Sequence, residues 1–359
     1  MMKRGIPMGK NKMKSKLKEI KLIVQMYELI MKPVHMCANK LKAFNRRFAK
    51  TRFSYGQCNP DKVFHIIKSD AANCGIFSLI FTSVFPYLEI SEKKKYIPIV
   101  DYKNTAFFPM IQDEEDYGKD NPWEYYFEQP GGLYTLDEVY RSAKVEIGSP
   151  DKYGFKLTDW NCMMPMPPEK LMYWNRIVSK YIRPTKELSE RINDEKNKLS
   201  FGQGKIMGVS IRAGYRRLAL LNVDIIKEHP QAETCEYYIE IIQKKMDEWG
   251  YNRFFLACDD REYVTKIDKY FGKGCCHMDR KYSHMFINDI PVPYDNIDEF
   301  RSEYKGCTTR ERTIEYIAET YLLASCESLY STINGGAEFA YIVNGGKYKN
   351  LEVYSEGFY

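Results

Sequence analysis

The chain has 359 residues, 44% hydrophobic and 28% charged, which is long for one core and comfortable for two. Its ten cysteines include no C-x-x-C pair, which argues against a zinc ribbon and suits a reduced compartment better than a secreted disulfide framework. The formal charge of +6 is unevenly held: residues 1–50 carry fourteen Lys/Arg against Glu19 and Glu28, a net +12, while the other 309 residues hold forty basic against forty-six acidic side chains, so nucleic acid is not an expected partner of the body.

Taken in order, residues 14–48 place Leu17, Ile20, Val24, Tyr27 and Met31 at helical spacing, then Pro33, then Leu41, Phe44 and Phe48 among Lys40, Lys42, Arg46 and Arg47. Basic amphipathic segments of this kind lie on anionic lipid headgroups or pack on the body. No run approaches the roughly 20 apolar residues of a spanning helix, and no signal-peptide core precedes a cleavage site. The expected location is therefore cytoplasmic, with residues 1–50 docking the chain as a peripheral protein on the inner membrane face.

Globular sequence begins near Tyr55. Val63–Ile67 and Tyr96–Val100 read as strands flanking a helix that opens at Asn73-Cys74-Gly75 and carries Ile76, Leu79, Ile80, Val84 and Leu88. The Gly75 region is either a ligand site at a helix start or a tight turn. Residues 103–175 are irregular and hold Trp123, Trp160 and Trp174; Pro122–Gly132 and Met163–Lys170 are candidates for an aromatic wall against a sugar or for plain packing. Leu171–Leu199 is helical with a break at Arg183-Pro184. Residues 51–200 thus form one α/β lobe and 201–359 a second.

The second lobe holds the candidate site. Ile206–Ile211 and Phe254–Cys258 are short apolar runs that stop at Arg212 and at Asp259-Asp260, as buried parallel strands do when they deliver polar groups to their carboxyl ends. Cys235–Trp249 is the intervening helix, so Arg212, Asp259 and Asp260 are expected to share the crevice beyond the strand ends. A further helix spans Tyr263–Phe271. His277 and His284 lack partners at metal-ligand spacing. Thr308–Leu323 is helical, Ser328–Ser331 a strand, and Thr332–Gly336 a turn into a helix over Ala337–Val343. The free N–H groups at that helix start, beside Gly335 and Gly336, suit a phosphate.

Four of these stretches together, Gly208-Val209-Ser210-Ile211-Arg212, His229-Pro230, Ala257-Cys258-Asp259-Asp260 and Ser331-Thr332-Ile333-Asn334, resemble in order and spacing the fucosyltransferase superfamily of α-1,6-fucosyltransferases, over residues 205–355. Bacterial polysaccharide-locus glycosyltransferases of this kind are similar too. The resemblance implies a GT-B-like α/β fold, two Rossmann-like lobes with parallel sheets around a central cleft, a GDP-sugar donor, and inversion at the anomeric carbon with neither metal nor cofactor. It places Arg212 on the donor diphosphate, Asp259 and Asp260 near the nucleoside or the arginine, and Glu319 on guanine with Glu315 as its rival. Ser210, Thr332 and Asn334 complete the donor set with the two glycines. The family's motif histidine is Ser210 here and its second arginine is Ala213, which leaves Arg216 or Arg217 as the replacement cation. Asp224 is the first choice for the catalytic base and His229 the second. The acceptor is a capsular, lipopolysaccharide or lipid-linked glycan. Two other readings are a metal-dependent transferase using Asp259 and Asp260, and a non-catalytic nucleotide- or glycan-binding protein.

Overall fold

A computed structural model of the chain describes residues 51–69, 75–103, 110–147, 164–221, 233–293 and 295–354. The amphipathic segment 1–50, Asn73 and Cys74, Trp160, Asp224, His229 and Pro230 lie outside the described residues.

The first sheet contains β1 (Arg52–Phe53), β2 (Phe64–Ile67), β3 (Ile97–Val100) and β4 (Val145–Ile147) in the order β1-β4-β2-β3. β2 runs parallel to both β3 and β4, and β1 lies antiparallel on the edge. Between β2 and β3 the chain is helical as expected. α1 (Ile76–Leu79) passes through a π-helical stretch, Ile80–Val84, into α2 (Phe85–Lys94). Pro86 closely follows the π-helical stretch, and having no N–H it cannot donate back to that preceding turn. Phe64, Ile66, Ile99, Val139 and Val145 form the core of this sheet.

Of the two readings of Pro122–Gly132, plain packing holds: Trp123, Tyr126 and Phe127 are 0% exposed, and the Trp123 indole N–H donates to the Glu128 carbonyl. Trp174 is buried too, its ring stacked on Phe85 at 4.7 Å with planes 3° apart. Burying so much ring surface stabilises the fold more than solvent-facing display would.

α3 (Pro168–Tyr181) and α4 (Lys186–Lys198) are separated at Arg183-Pro184, because proline has no N–H to continue the ladder and drives the preceding residue out of the helical region. α3 is a bridge. Arg176 and Lys180 pair with Glu92 near the carboxyl end of α2, and the Tyr181 hydroxyl also donates to Glu92. Burial pushes the Glu92 carboxyl up, but the hydrogen bonds from Lys180, Tyr181 and Arg176 outweigh it and hold the group at about 2. The contribution is present above the ordinary carboxyl pKa of about 4.5 and disappears as pH falls to about 2. Glu92→Gln is expected to cost about 1 kcal/mol at pH 7 after solvent screening. The gap in unfolding midpoint between the two proteins should narrow from pH 7 to pH 3; an equal gap at both pH values would contradict this role.

The second sheet is wholly parallel, in the order β11-β10-β5-β6-β7. Its strands are β5 (Met207–Ile211), β6 (Phe254–Cys258), β7 (Cys275–Cys276), β10 (Ser328–Thr332) and β11 (Leu351–Tyr354); a hairpin of β8 (Phe286–Ile287) and β9 (Ile290–Pro291) stands apart. Every residue of β5, β6 and β10 is buried, which requires cover on both faces and accounts for the largely apolar runs of β5 and β6. The helices of this part are α5 (Gly214–Leu220), α6 (Cys235–Trp249), α7 (Arg261–Phe271), α8 (Thr309–Ala324) and α9 (Gly335–Asn344). α9 begins two residues before the expected start. The Asn334 side chain accepts from the Ala337 N–H, so Gly335 and Gly336 are the first helical residues and not a preceding turn. No helix among the described residues is long and apolar enough to cross a membrane.

Candidate functional site

Register brings the polar strand ends together. Ser210 lies opposite Ala257 and Ser331, and Ile211 opposite Cys258, so Arg212, Asp259 and Thr332 emerge side by side at the carboxyl edge of a parallel sheet. Short side chains fasten that edge. The Arg212 N–H donates to Thr332 Oγ1 at 3.0 Å, the Asn334 side-chain amide donates to Ser210 Oγ at 3.0 Å and to the Thr332 carbonyl at 2.9 Å, and the Ala213 N–H donates to Asp259 Oδ1 at 2.9 Å.

These ends open into a cavity of about 440 Å³, a size suited to a small ligand. Of the expected donor set, Ser210, Arg212, Asp259, Glu319, Asn334, Gly335 and Gly336 line it. Two do not. Thr332 is 1% exposed and serves as the staple just described. Asp260 is 0% exposed: one oxygen caps α7 through the Tyr263 N–H at 3.0 Å, and the other accepts from Met285 at 2.7 Å and Phe286 at 3.3 Å. Burial lifts its carboxyl to about 6 even though those amides oppose the shift. Asp260 is therefore a structural anchor that ties the 283–286 loop to the sheet, and it offers no oxygen to a nucleoside or a metal.

Arg212 is the exposed member of the constellation, with 41% of its side chain accessible. One guanidinium nitrogen lies 2.7 Å from Asp259 Oδ2, yet that oxygen has no aligned hydrogen bond, so the contact is one of charge and not of fixed geometry. The proximity of Asp259 raises the arginine's pKa further, which keeps it cationic at any working pH. Its N–H groups are consequently open to an incoming anion. Arg216 and Arg217 do not supply the second cation. Arg216 turns to the Tyr263 hydroxyl at 3.0 Å, and Arg217 is 6% exposed with its Nε donating to the Val292 carbonyl. Among the described residues, the cations that join Arg212 in the lining are Arg280, Lys281, Arg301 and Arg312, against two carboxylates, Asp259 and Glu319.

Glu319 is not free in the way expected. Arg280 grips both its oxygens at 3.0 Å, with side chains only 8% and 4% exposed. Burial lifts Glu319 to about 6 against the pull of Arg280. Glu315 does not line the cavity; it accepts weakly from the Lys281 N–H at 3.4 Å.

The opposite wall is the start of α1, whose N-cap Gly75 makes no side-chain cap and whose first turn holds no acidic residue. Gly75, Ile76, Phe77 and Ser78 all face the cavity there. Two helix amino ends therefore point at one space, where unsatisfied N–H groups favour an anion. The pair packs tightly: a Cβ on Gly335 would stand 3.2 Å from Phe77 Cβ, and one on Gly336 would stand 2.8 Å from the Tyr316 hydroxyl.

The cavity wall also holds residues not foreseen in the sequence, among them Arg280, which sits in a loop with no pattern, and the stripe Arg312, Tyr316 and Thr320 on α8. That stripe carries a legible signal, because residues at i, i+4 and i+8 share one helix face.

No family model matches the sequence, and no curated protein matches it. Among solved structures the chain is similar to NodZ alpha-1,6-fucosyltransferase soaked with GDP-fucose, at 12% identity over 79% of this chain and 92% of that chain, with a TM-score of 0.42. It is also similar to an Arabidopsis thaliana FUT1 variant in complex with GDP, at 10% identity over 88% and 74% of the two chains, TM-score 0.45, and to POFUT1 in complex with GDP, at 9% identity over 82% and 74%, TM-score 0.33.

Proposed function

We propose that this chain is an inverting glycosyltransferase that moves fucose from GDP-fucose to a glycan acceptor without a metal ion. The observation that carries the reading is Arg212: an accessible, unaligned guanidinium at a parallel-sheet edge, in a cationic cavity shared with the first turn of α9. Glycosyl transfer builds negative charge on the departing diphosphate while the sugar gains oxocarbenium character. A guanidinium meets phosphate oxygens through two parallel hydrogen bonds and cannot lose its proton. The N–H groups of Gly335 and Gly336 have no intrahelical partner and add to the same cradle. Asp259 serves as the resting counter-ion of Arg212, exchanged when diphosphate arrives.

Inversion requires the acceptor hydroxyl to attack from the face opposite the diphosphate, with a base to take its proton. Asp224 fills that role in this reading, with His229 second. The first fifty residues dock the enzyme on an anionic membrane face in the cytoplasm, near a lipid-linked or capsular acceptor. GDP-fucose follows from the sequence resemblance.

A thermal-shift screen of GDP-, UDP-, dTDP- and CMP-sugars tests the donor. A ligand at a hundredfold its Kd stabilises by about 2.7 kcal/mol, which is a rise of several degrees in Tm. Only the GDP compounds are expected to give it, with transfer unchanged by EDTA. Stabilisation by UDP compounds alone would overturn the donor, and chelator-sensitive transfer would overturn metal independence.

A further inference from the structure

Resting on that reading, we infer that the Tyr316 hydroxyl is a catalytic hydrogen-bond donor to the departing diphosphate. Tyr316 lies on the face of α8 that lines the cavity, between Arg312 and Thr320. Its ring is fixed edge-on against Phe77 of the opposite wall, at 5.1 Å and 76°. Its hydroxyl stands over the first turn of α9, so close that a methyl group on Gly336 would sit 2.8 Å from the oxygen. Among the described residues that hydroxyl has no hydrogen-bond partner, whereas the neighbouring Thr320 hydroxyl already donates to the Tyr316 carbonyl.

The surroundings fix its role as a donor. Burial pushes the phenol up to about 12 against the opposing charge of Arg212, so the proton stays on the oxygen at neutral pH. An anion between Arg212 and the Gly335–Gly336 amides meets a third donor in that O–H. The glycine at 336 acquires a reason as well: any side chain there would displace the hydroxyl from the helix end. Tyr316 keeps its proton throughout the reaction. The sugar C1–O bond to the diphosphate breaks with its electron pair on the leaving oxygen, the acceptor oxygen forms the new C1–O bond, and the acceptor proton goes to the base on the far face.

Tyr316→Phe removes one oxygen and leaves the ring contact with Phe77 in place. The expected result is a fall in kcat of roughly ten- to a hundredfold, below the loss seen for a stronger preorganised donor. GDP affinity should fall about tenfold, as for a hydrogen bond to a charged group, with guanosine affinity unchanged. That split separates contact with diphosphate from a packing role, which would move both ligands together. Unaltered kcat and GDP affinity, or equal losses for GDP and guanosine, would overturn the assignment. Arg212→Ala is the companion: if it abolishes transfer while Tyr316→Phe is silent, only the tyrosine assignment falls, and if both are silent the transferase reading falls with it.

Discussion

Arg212→Ala is expected to lower kcat/KM for transfer by about a hundredfold to a thousandfold and to weaken GDP binding in the same assay. The size follows from position. The side chain is 41% exposed and makes no aligned side-chain hydrogen bond among the described residues, so what the fold loses is chiefly the charge contact with Asp259. What is lost is the cation facing the growing charge. Arg212→Lys should recover part of the rate, because a point charge remains while the bidentate fork does not. Steady-state kinetics with Tm as a control decides the matter; full activity in the alanine variant at unchanged Tm would refute the role.

Arg280→Met carries the largest expected loss of stability. Arg280 and Glu319 form a bidentate pair beneath the cavity, and the arginine also donates to the Cys258 and Lys281 carbonyls. Removing one partner of such a buried pair costs about 3–5 kcal/mol, since the other charge is left uncompensated. Glu319 is already raised to about 6 in the intact pair, above its ordinary pKa, so its ionisation weakens the fold as pH rises through that range. Without Arg280 the carboxyl rises further, and the defect should be smaller at pH 5, where Glu319 is protonated, than at pH 8. Arg280→Met combined with Glu319→Met should stand closer to the parent than the single variant. Denaturant midpoints at the two pH values test this, and a single variant as stable as the parent at pH 8 would show that the pair is not structural.

The parallel strands of the second lobe are legible in the sequence because an apolar run of five residues that stops at a charge is what a strand covered on both faces requires, and Arg212 and Asp259 follow from their places after such runs. Asp260 shows where that reasoning stops. Two adjacent carboxylates look alike in a sequence, but the alternation of a strand end sends one toward the cavity and the other into the loop it anchors. The start of α9 falls earlier than the residues suggest because two glycines read as a turn, and only the Asn334 cap makes them helical. Trp123 and Trp174 carry no mark in the sequence that separates a core ring from a sugar platform. Arg280 is invisible for a different reason: its partner is 39 residues away and no local period connects them.

The stretch from Ile76 to Lys94 and the helix Gly335–Asn344 both aim their amino ends at the cavity, and both have their opposite ends held by α3: Glu92 is bound by Arg176 and Lys180, while Asn175 donates to the Ile342 and Val343 carbonyls at 2.8 and 3.1 Å. At 1.5 Å per residue these are stiff rods of about 28 and 15 Å sharing one rear fulcrum. Small rotations at that fulcrum are magnified at the tips, so a few contacts made by α3, far from any reacting atom, set the gap into which a diphosphate must fit.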